Sequence, residues 1–183
     1  MSAPDKSALK RAIPDWPALL AHVLAQSPSA KSELHGSQHW KCVAWVGAQL
    51  AQKIPEADAA VVLLFGLLHD SMRQDDGFDE KHGSRAAEFA RELNGSLLQL
   101  EPSAEKKLCK ACEGHSSGAT SLDATIGACW DADRLNLWRV GTWPVPQFLS
   151  TGPARHPDFI TASREIYKKQ FEWAKIYELY VRL

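Results

Sequence analysis

Apolar residues recur with the period of an α-helix along almost the whole chain. No segment shows the alternation of β-branched and polar residues that indicates a strand. Pro, Gly and Asn residues separate the helical segments, and a Pro-rich connection occupies residues 141–157. The pattern predicts helices at 15–26, 35–53, 57–73, 79–93, 103–115, 121–140 and 157–183. We therefore expect an all-α fold, a compact bundle of about six to seven helices.

Length and composition indicate one globular domain. The chain has 183 residues, of which 45% are hydrophobic, and its net charge is −1. This balance argues against a nucleic-acid-binding protein, which needs surplus positive charge. The apolar run Ala59–Leu68 is about half of the roughly 20 residues that a membrane span needs. Ser2 to Arg11 lacks the apolar stretch of a signal peptide, so we expect a cytoplasmic protein without membrane partners.

Ionisable residues interrupt the apolar faces of five predicted helices. Val43 and Val46 continue the face that His39 begins, and Asp133 is the charged residue on the face of Ile126 and Trp130. Each such residue lies near one end of its helix. The set comprises His39, His69, His82, His115 and Asp133.

These residues together favour a metal site. One histidine on an apolar face is more often a hydrogen-bonded core residue than a ligand. A carboxylate in a core, however, costs several kcal/mol unless it has a strong partner, so Asp133 needs one. Five such residues, with Asp70 directly after His69, favour a divalent metal ion shared by neutral imidazoles and carboxylates.

The order of these motifs resembles the HD-domain superfamily of metal-dependent phosphohydrolases. That family carries a His, a His-Asp pair and an Asp on separate helices. The matching residues here are His39 in HWKCV, His69-Asp70 in LLFGLLHDSMR and Asp133 in DADRLN, over about residues 35–140. Asp131 lies about 200° around the helix from Asp133, and both the apolar face and the family pattern favour Asp133. The resemblance implies a single HD-type domain over residues 1–183, with 157–183 as a C-terminal helix.

Two further histidines resemble those of superfamily members that bind two metal ions. They are His82 in KHGSRAAEFA and His115 in EGHSSG. The resemblance implies that Asp70 bridges two ions, one also held by His39, His69 and Asp133, the other by His82 and His115. Imidazole and carboxylate ligands together favour Mn or Fe, with Mg, Co and Zn left open. The glycine-tyrosine-proline motif of cyclic-dinucleotide phosphodiesterases is absent.

The implied activity is that of a phosphomonoesterase or phosphodiesterase. A metal-activated water would attack the phosphorus of a nucleotide or other small phosphorylated metabolite. Asp70 and Arg73 are the candidate catalytic residues. Arg73 lies one turn after His69 and would hold a substrate phosphate, unless it pairs with a neighbouring aspartate. Lys81, Arg85 and His35 are further candidates for substrate contacts, whereas a structural salt bridge is the expectation for Arg134.

Other functions remain open at this point. Some relatives with two metals are di-iron oxygenases, and loss of the second metal would leave a mononuclear nucleotide phosphatase. A sensing module would keep the site without turnover. The aromatic face of the predicted C-terminal helix, with Phe171, Trp173 and Tyr177, would suit a homodimer contact as well as the chain's own core.

Overall fold

The structure is a computed structural model that describes residues 7–183. It confirms the all-α prediction, because this range contains ten α-helices, three short 3₁₀ segments and no strand. The signal-peptide expectation rests partly on residues 1–6, which lie outside the described range. The helices are α1 Ala8–Ala12, α2 Trp16–Gln26, α3 Ser37–Lys53, α4 Ala59–Leu68, α5 His82–Leu93, α6 Pro102–Gly114, α7 Ala124–Arg134, α8 Gly152–Arg155, α9 Pro157–Ser163 and α10 Trp173–Val181.

Helix α4 forms the centre of the bundle. It is buried on every face from Ala60 to Leu68, as expected for a helix that is apolar all round. The Asp58 carboxylate caps its start by accepting the N–H groups of Ala60 and Val61. Helices α3, α6 and α7 pack around it. Gly66 allows the close approach of α3, since a Cβ atom there would lie 2.7 Å from Ala44 Cβ.

Helices α5 and α6 pair at the side of this centre. A Cβ atom at Gly83 would lie 2.4 Å from the Cys112 carbonyl oxygen, so the start of α5 approaches the end of α6 closely. Trp130 of α7 donates its indole N–H to the Ala111 carbonyl at 2.9 Å and thereby joins α7 to α6. Helix ends from several parts of the chain therefore meet on one side of the bundle.

The prediction of one helix over residues 157–183 was wrong. Helix α9 ends at Ser163, and α10 begins at Trp173. The intervening segment packs on α3 instead of continuing the helix. Gln38 of α3 donates to the Lys169 carbonyl at 2.6 Å, and Phe171 stacks on Trp45 with ring centroids 4.4 Å apart. These long-range contacts outweigh the local helical pattern.

The aromatic residues of α10 pack against the same chain. Trp173 and Tyr177 both contact the Trp16 ring of α2, at centroid distances of 5.7 and 4.9 Å. A homodimer stays a prediction.

Other boundaries also differ from the sequence prediction. The helix expected over 57–73 ends at Leu68, and the helix expected over 79–93 begins at His82. The helix expected over 121–140 ends at Arg134, and a separate 3₁₀ segment follows at Leu137–Val140. The Pro-rich connection contains a 3₁₀ turn at Pro146–Phe148 and the short α8. Within residues 7–183, no helix combines the length and apolar character needed to cross a membrane.

Candidate metal centre and its cavity

The six predicted metal ligands converge at one end of the bundle, and we call them the histidine–aspartate cluster. All of them lie at helix ends, as the sequence indicated. His39 is in the first turn of α3, and His82 is the first residue of α5. His69 and His115 directly follow α4 and α6, and Asp133 lies in the last turn of α7. The remaining member, Asp70, follows His69.

The Asp70 carboxylate lies between two pairs of histidines. Its Oδ2 atom is 3.6 Å from the Nε2 atoms of both His39 and His69. Its Oδ1 atom is 3.4 Å from His82 Nε2 and 3.5 Å from His115 Nε2. Each carboxylate oxygen therefore faces a different histidine pair.

The two aspartates of α7 point to different places. Asp133 Oδ1 lies 3.2 Å from His39 Nε2 and 3.8 Å from His69 Nε2. Asp131 instead accepts the N–H groups of Ser150 and Thr151, at 2.6 and 2.8 Å, together with the Thr151 hydroxyl. Asp133 therefore belongs to the cluster, and Asp131 holds the segment that precedes α8.

Backbone carbonyls fix the orientation of three imidazoles. The Nδ1–H groups of His69 and His115 donate to the carbonyls of Phe65 and Cys112, at 3.0 and 2.7 Å. His82 Nδ1 donates in the same way to the Asp79 carbonyl. A carbonyl oxygen can only accept a hydrogen bond, so each of these Nδ1 atoms carries the ring proton. In the neutral ring Nε2 is then unprotonated, and its lone pair faces the cluster. This arrangement is typical of histidines that bind metal ions.

Burial and charge set the protonation of the cluster. Burial lowers the pKa of His69 to about 3 and also lowers the pKa of His39. Burial alone would raise the pKa of Asp70, but the charges of His69 and His115 hold it well below its usual range. Burial opposes ionisation of Asp133 too, yet the hydrogen bond with His39 keeps its pKa low. For His115 the Asp70 carboxylate outweighs burial and raises the pKa.

These residues fit a metal ion. Two groups of potential ligand atoms, each within 4.8 Å of one another, share Asp70: His39, His69 and Asp70, and Asp70, His82 and His115. The Nε2 atoms of His82 and His115 lie 2.9 Å apart, and those of His39 and His69 3.1 Å apart. Two lone pairs repel at such distances unless a cation or proton lies between them. Imidazole nitrogen with carboxylate oxygen is a donor set suited to divalent transition metals.

A cavity of about 410 Å³ opens on this cluster. Its size suits a small metabolite or nucleotide. The predicted substrate residues Arg73 and His35 both line it. Arg73 Nη1 lies 3.2 Å from His82 Nδ1, and His35 Nδ1 lies 3.0 Å from an Asp76 oxygen. A larger depression of about 730 Å³, beside Lys53 and Phe159, contains none of the predicted site residues.

Two of the predicted substrate residues lie away from this cavity. Arg85 donates to the Met72 carbonyl at 3.0 Å and pairs with the Asp79 carboxylate, so it stabilises the segment between α4 and α5. Lys81 is exposed at the start of α5 and is not among the residues that line the cavity. Neither side chain lines the cavity, and their assignment to substrate binding stays a prediction that the cavity does not support.

Two arginines that the sequence did not assign to the site line the cavity. The expectation of a structural salt bridge for Arg134 was wrong, since within residues 7–183 its guanidinium has no carboxylate partner. It donates instead to the Phe148 carbonyl. Arg139 reaches the cavity from the 3₁₀ segment after α7, held there by the Leu34 carbonyl at 3.0 Å. In the sequence, the one indication that an arginine lies on this side of the cavity was the position of Arg134 directly after Asp133.

Comparison with known proteins supports the fold. No protein-family model matches the chain, and no curated protein matches its sequence. The structure is similar to a crystal structure described as a predicted HD superfamily hydrolase from an uncultured Thermotogales bacterium. The two chains share 22% sequence identity with a TM-score of 0.61, over 97% of this chain and 96% of the other. At this identity the likeness shows a shared fold, and the buried cluster adds a group of residues able to hold metal.

Proposed function

We propose that this chain is a metal-dependent phosphohydrolase acting on a nucleotide or other small phosphorylated metabolite. One observation carries the proposal: the two oxygens of the buried Asp70 carboxylate face two separate histidine pairs. A single carboxylate between two sets of imidazoles is suited to two neighbouring ions, and such pairs of ions serve phosphate-ester hydrolysis.

The proposed cofactor is two divalent ions, with Mn or Fe favoured by the mixed ligands. His39, His69 and Asp133 would hold one ion, His82 and His115 the other, and Asp70 would contact both. When bound, such ions supply Lewis-acid stabilisation of phosphoryl oxygens and lower the pKa of a bound water. The carbonyls of Phe65, Cys112 and Asp79 keep three of the imidazoles oriented before any ion binds.

The cavity wall supports a phosphorylated substrate. Arg73 lies beside His82, and its guanidinium would hold and orient the phosphate by charge-assisted hydrogen bonds. In the proposed reaction, water attacks the phosphorus, the bond to the leaving oxygen breaks, and that oxygen takes up a proton. The Arg73 guanidinium stabilises the negative charge of the phosphoryl group through this step.

Phosphate release from a panel of phosphomonoesters and phosphodiesters tests the proposal on protein purified without chelator. The wild type should release phosphate or a phosphorylated product from at least one ester. Asp70→Ala should lower that rate by more than about 100-fold, the upper range for losing a group that supports a metal ligand. The matched control is Asp158→Ala, which removes an aspartate whose side chain is 93% exposed.

Two outcomes would contradict this proposal. Substrate-dependent oxygen uptake with no hydrolysis would identify the di-iron oxygenase alternative. Equal rates of hydrolysis by wild type and Asp70→Ala would show that the cluster takes no part in the reaction.

A further inference from the structure

Within residues 7–183, three guanidinium groups line the cavity without a carboxylate partner: those of Arg73, Arg134 and Arg139. By contrast, Arg85 pairs with Asp79 and Arg91 with Glu113. Within residues 7–183, no carboxylate oxygen lies within 4.0 Å of the three cavity guanidiniums. Their positive charge is therefore available to an anionic ligand.

Arg134 gives the strongest indication of a ligand. It is only 7% exposed, and its Nη2 atom has no hydrogen-bond acceptor among the described residues. The Trp130 ring lies 5.6 Å from the guanidinium carbon, a contact that compensates for only part of the cost of burying a charge. The nearby Asp131 is occupied by the Ser150 and Thr151 amides, and Asp133 faces the histidines.

Arg139 lies on the same wall, beside a different part of the cluster from Arg73. The neutral carbonyls of Leu34 and Asn136 hold the Arg139 guanidinium in place without balancing its charge. Leu34 precedes the start of α3, which carries His39, and Asn136 follows Asp133, so Arg139 borders the half of the cluster that contains Asp133. Arg73 borders the other half, beside His82, and its Nε atom is buried without an acceptor. The cavity therefore has a positive group at each half of the cluster.

We propose that the ligand of this cavity carries two anionic groups. The reacting phosphate lies on the side of Arg73, and a second phosphate or carboxylate is bound by Arg134 and Arg139. This inference rests on the proposed function, because the cluster locates the first phosphate. It narrows the substrate class from phosphate esters in general to esters that bear a second acidic group.

Calorimetric binding of two matched ligands tests this inference. Both are phosphonates in which CH₂ replaces the ester oxygen, one the analogue of glycerol 3-phosphate and the other the analogue of 3-phosphoglycerate. They differ in a hydroxymethyl group against a carboxylate. The metal-loaded protein is titrated without oxygen, so that neither ligand is consumed. A charge-assisted contact to the second group should make the carboxylate ligand bind about 10- to 100-fold more tightly.

Variants identify which arginines bind which group. In Arg134→Gln and Arg139→Gln, the advantage of the carboxylate ligand should fall below about threefold, while the hydroxymethyl ligand keeps its affinity. Arg73→Gln should weaken both ligands by the same factor. Arg91→Gln, on a surface ion pair with Glu113, is the matched control and should change neither affinity. If Arg134→Gln fails to fold, Arg139→Gln tests the second anion site, because the Arg139 side chain is partly exposed.

Several results would overturn the inference. If the hydroxymethyl ligand binds and the carboxylate adds nothing, the second anion site is wrong and the proposed function stands. If Arg139→Gln changes neither affinity, Arg139 does not bind the carboxylate and its assignment is wrong. If this variant weakens both ligands equally, Arg139 binds the same phosphate as Arg73. If neither ligand binds the wild type, the proposed function is contradicted together with the second site.

Discussion

Asp131 should stabilise the fold by holding the segment before α8. Its buried carboxylate accepts three hydrogen bonds, from the Ser150 amide at 2.6 Å and from the Thr151 amide and hydroxyl at 2.8 Å each. A buried donor that loses its partner costs about 1–3 kcal/mol. Ser150 and Thr151 are half-buried, so water can reach their donors once the carboxylate is gone. We therefore take a cost of about 1 kcal/mol for each donor. Asp131→Ala should then lower the free energy of unfolding by about 3 kcal/mol.

Urea denaturation of metal-free protein measures this loss. Thr151→Val is the matched comparison. It removes one of the three hydrogen bonds and the long cap in which the Thr151 hydroxyl accepts the Ala154 N–H at 3.4 Å, and it should cost about 1–2 kcal/mol. Amide hydrogen exchange at Ser150 and Thr151 should accelerate in Asp131→Ala. A loss below about 0.5 kcal/mol, or one no larger than that of Thr151→Val, would refute this account of Asp131.

The burial of Asp131 predicts that the stability of the fold depends on pH. Burial raises the pKa of Asp131 above its usual 3.8, although the hydrogen bonds from Ser150 and Thr151 act against burial. The folded chain therefore keeps this proton to higher pH than the unfolded chain. Its contribution to stability is complete below the unfolded value and falls as pH rises through the folded value. The free energy of unfolding of wild type minus that of Asp131→Asn should thus decrease above about pH 4 and then level off. An increase of this difference with pH would contradict the prediction.

Two other predictions concern metal content and thiols. In Gly83→Ala the new Cβ would lie 2.4 Å from the Cys112 carbonyl, so α5 and α6 must separate and the protein should lose about one of two bound ions. Elemental analysis measures this loss against Gly152→Ala, where nothing lies within 4 Å, and full retention would contradict it. All four cysteines are buried, and burial raises the pKa of Cys42 to about 11. A thiol reagent at pH 8 should label none in the native protein and all after unfolding, whereas rapid native labelling would contradict the packing.

The cluster could be located from the sequence because helical periodicity decides which face a residue occupies. His39 and Asp133 each stand on an apolar face near a helix end, and the tertiary packing of those faces brings the helix ends together. The role of these residues as ligands stays a prediction until metal is measured.

The cavity wall depends on contacts that periodicity does not encode. Arg134 follows Asp133 and points about 100° away around an ideal helix, yet the helix ends there and its side chain lines the cavity. Arg139 reaches the same wall only because a 3₁₀ segment follows α7. Arg85 flanks His82 in the sequence, but Asp79 pairs with it and keeps it out of the cavity.

The break between α9 and α10 was unpredictable for a related reason. Residues 157–183 keep a helical apolar pattern, so local propensity favours one helix. The buried Ser163 hydroxyl accepts the Trp138 indole N–H at 2.8 Å, and Gln38 binds the Lys169 carbonyl. Both partners are distant in sequence, and tertiary packing of this kind overrides propensity.

The number of metal ions per chain tests the central claim most directly. Protein purified without chelator is analysed by plasma mass spectrometry, with Asp70→Ala and the surface control Asp158→Ala measured in parallel. Because the Asp70 carboxylate faces both histidine pairs, the account predicts about two transition-metal ions per wild-type chain and loss of both in Asp70→Ala. The control should keep its ions. One ion or fewer in the wild type, or full retention in Asp70→Ala, would contradict a site built on this shared carboxylate.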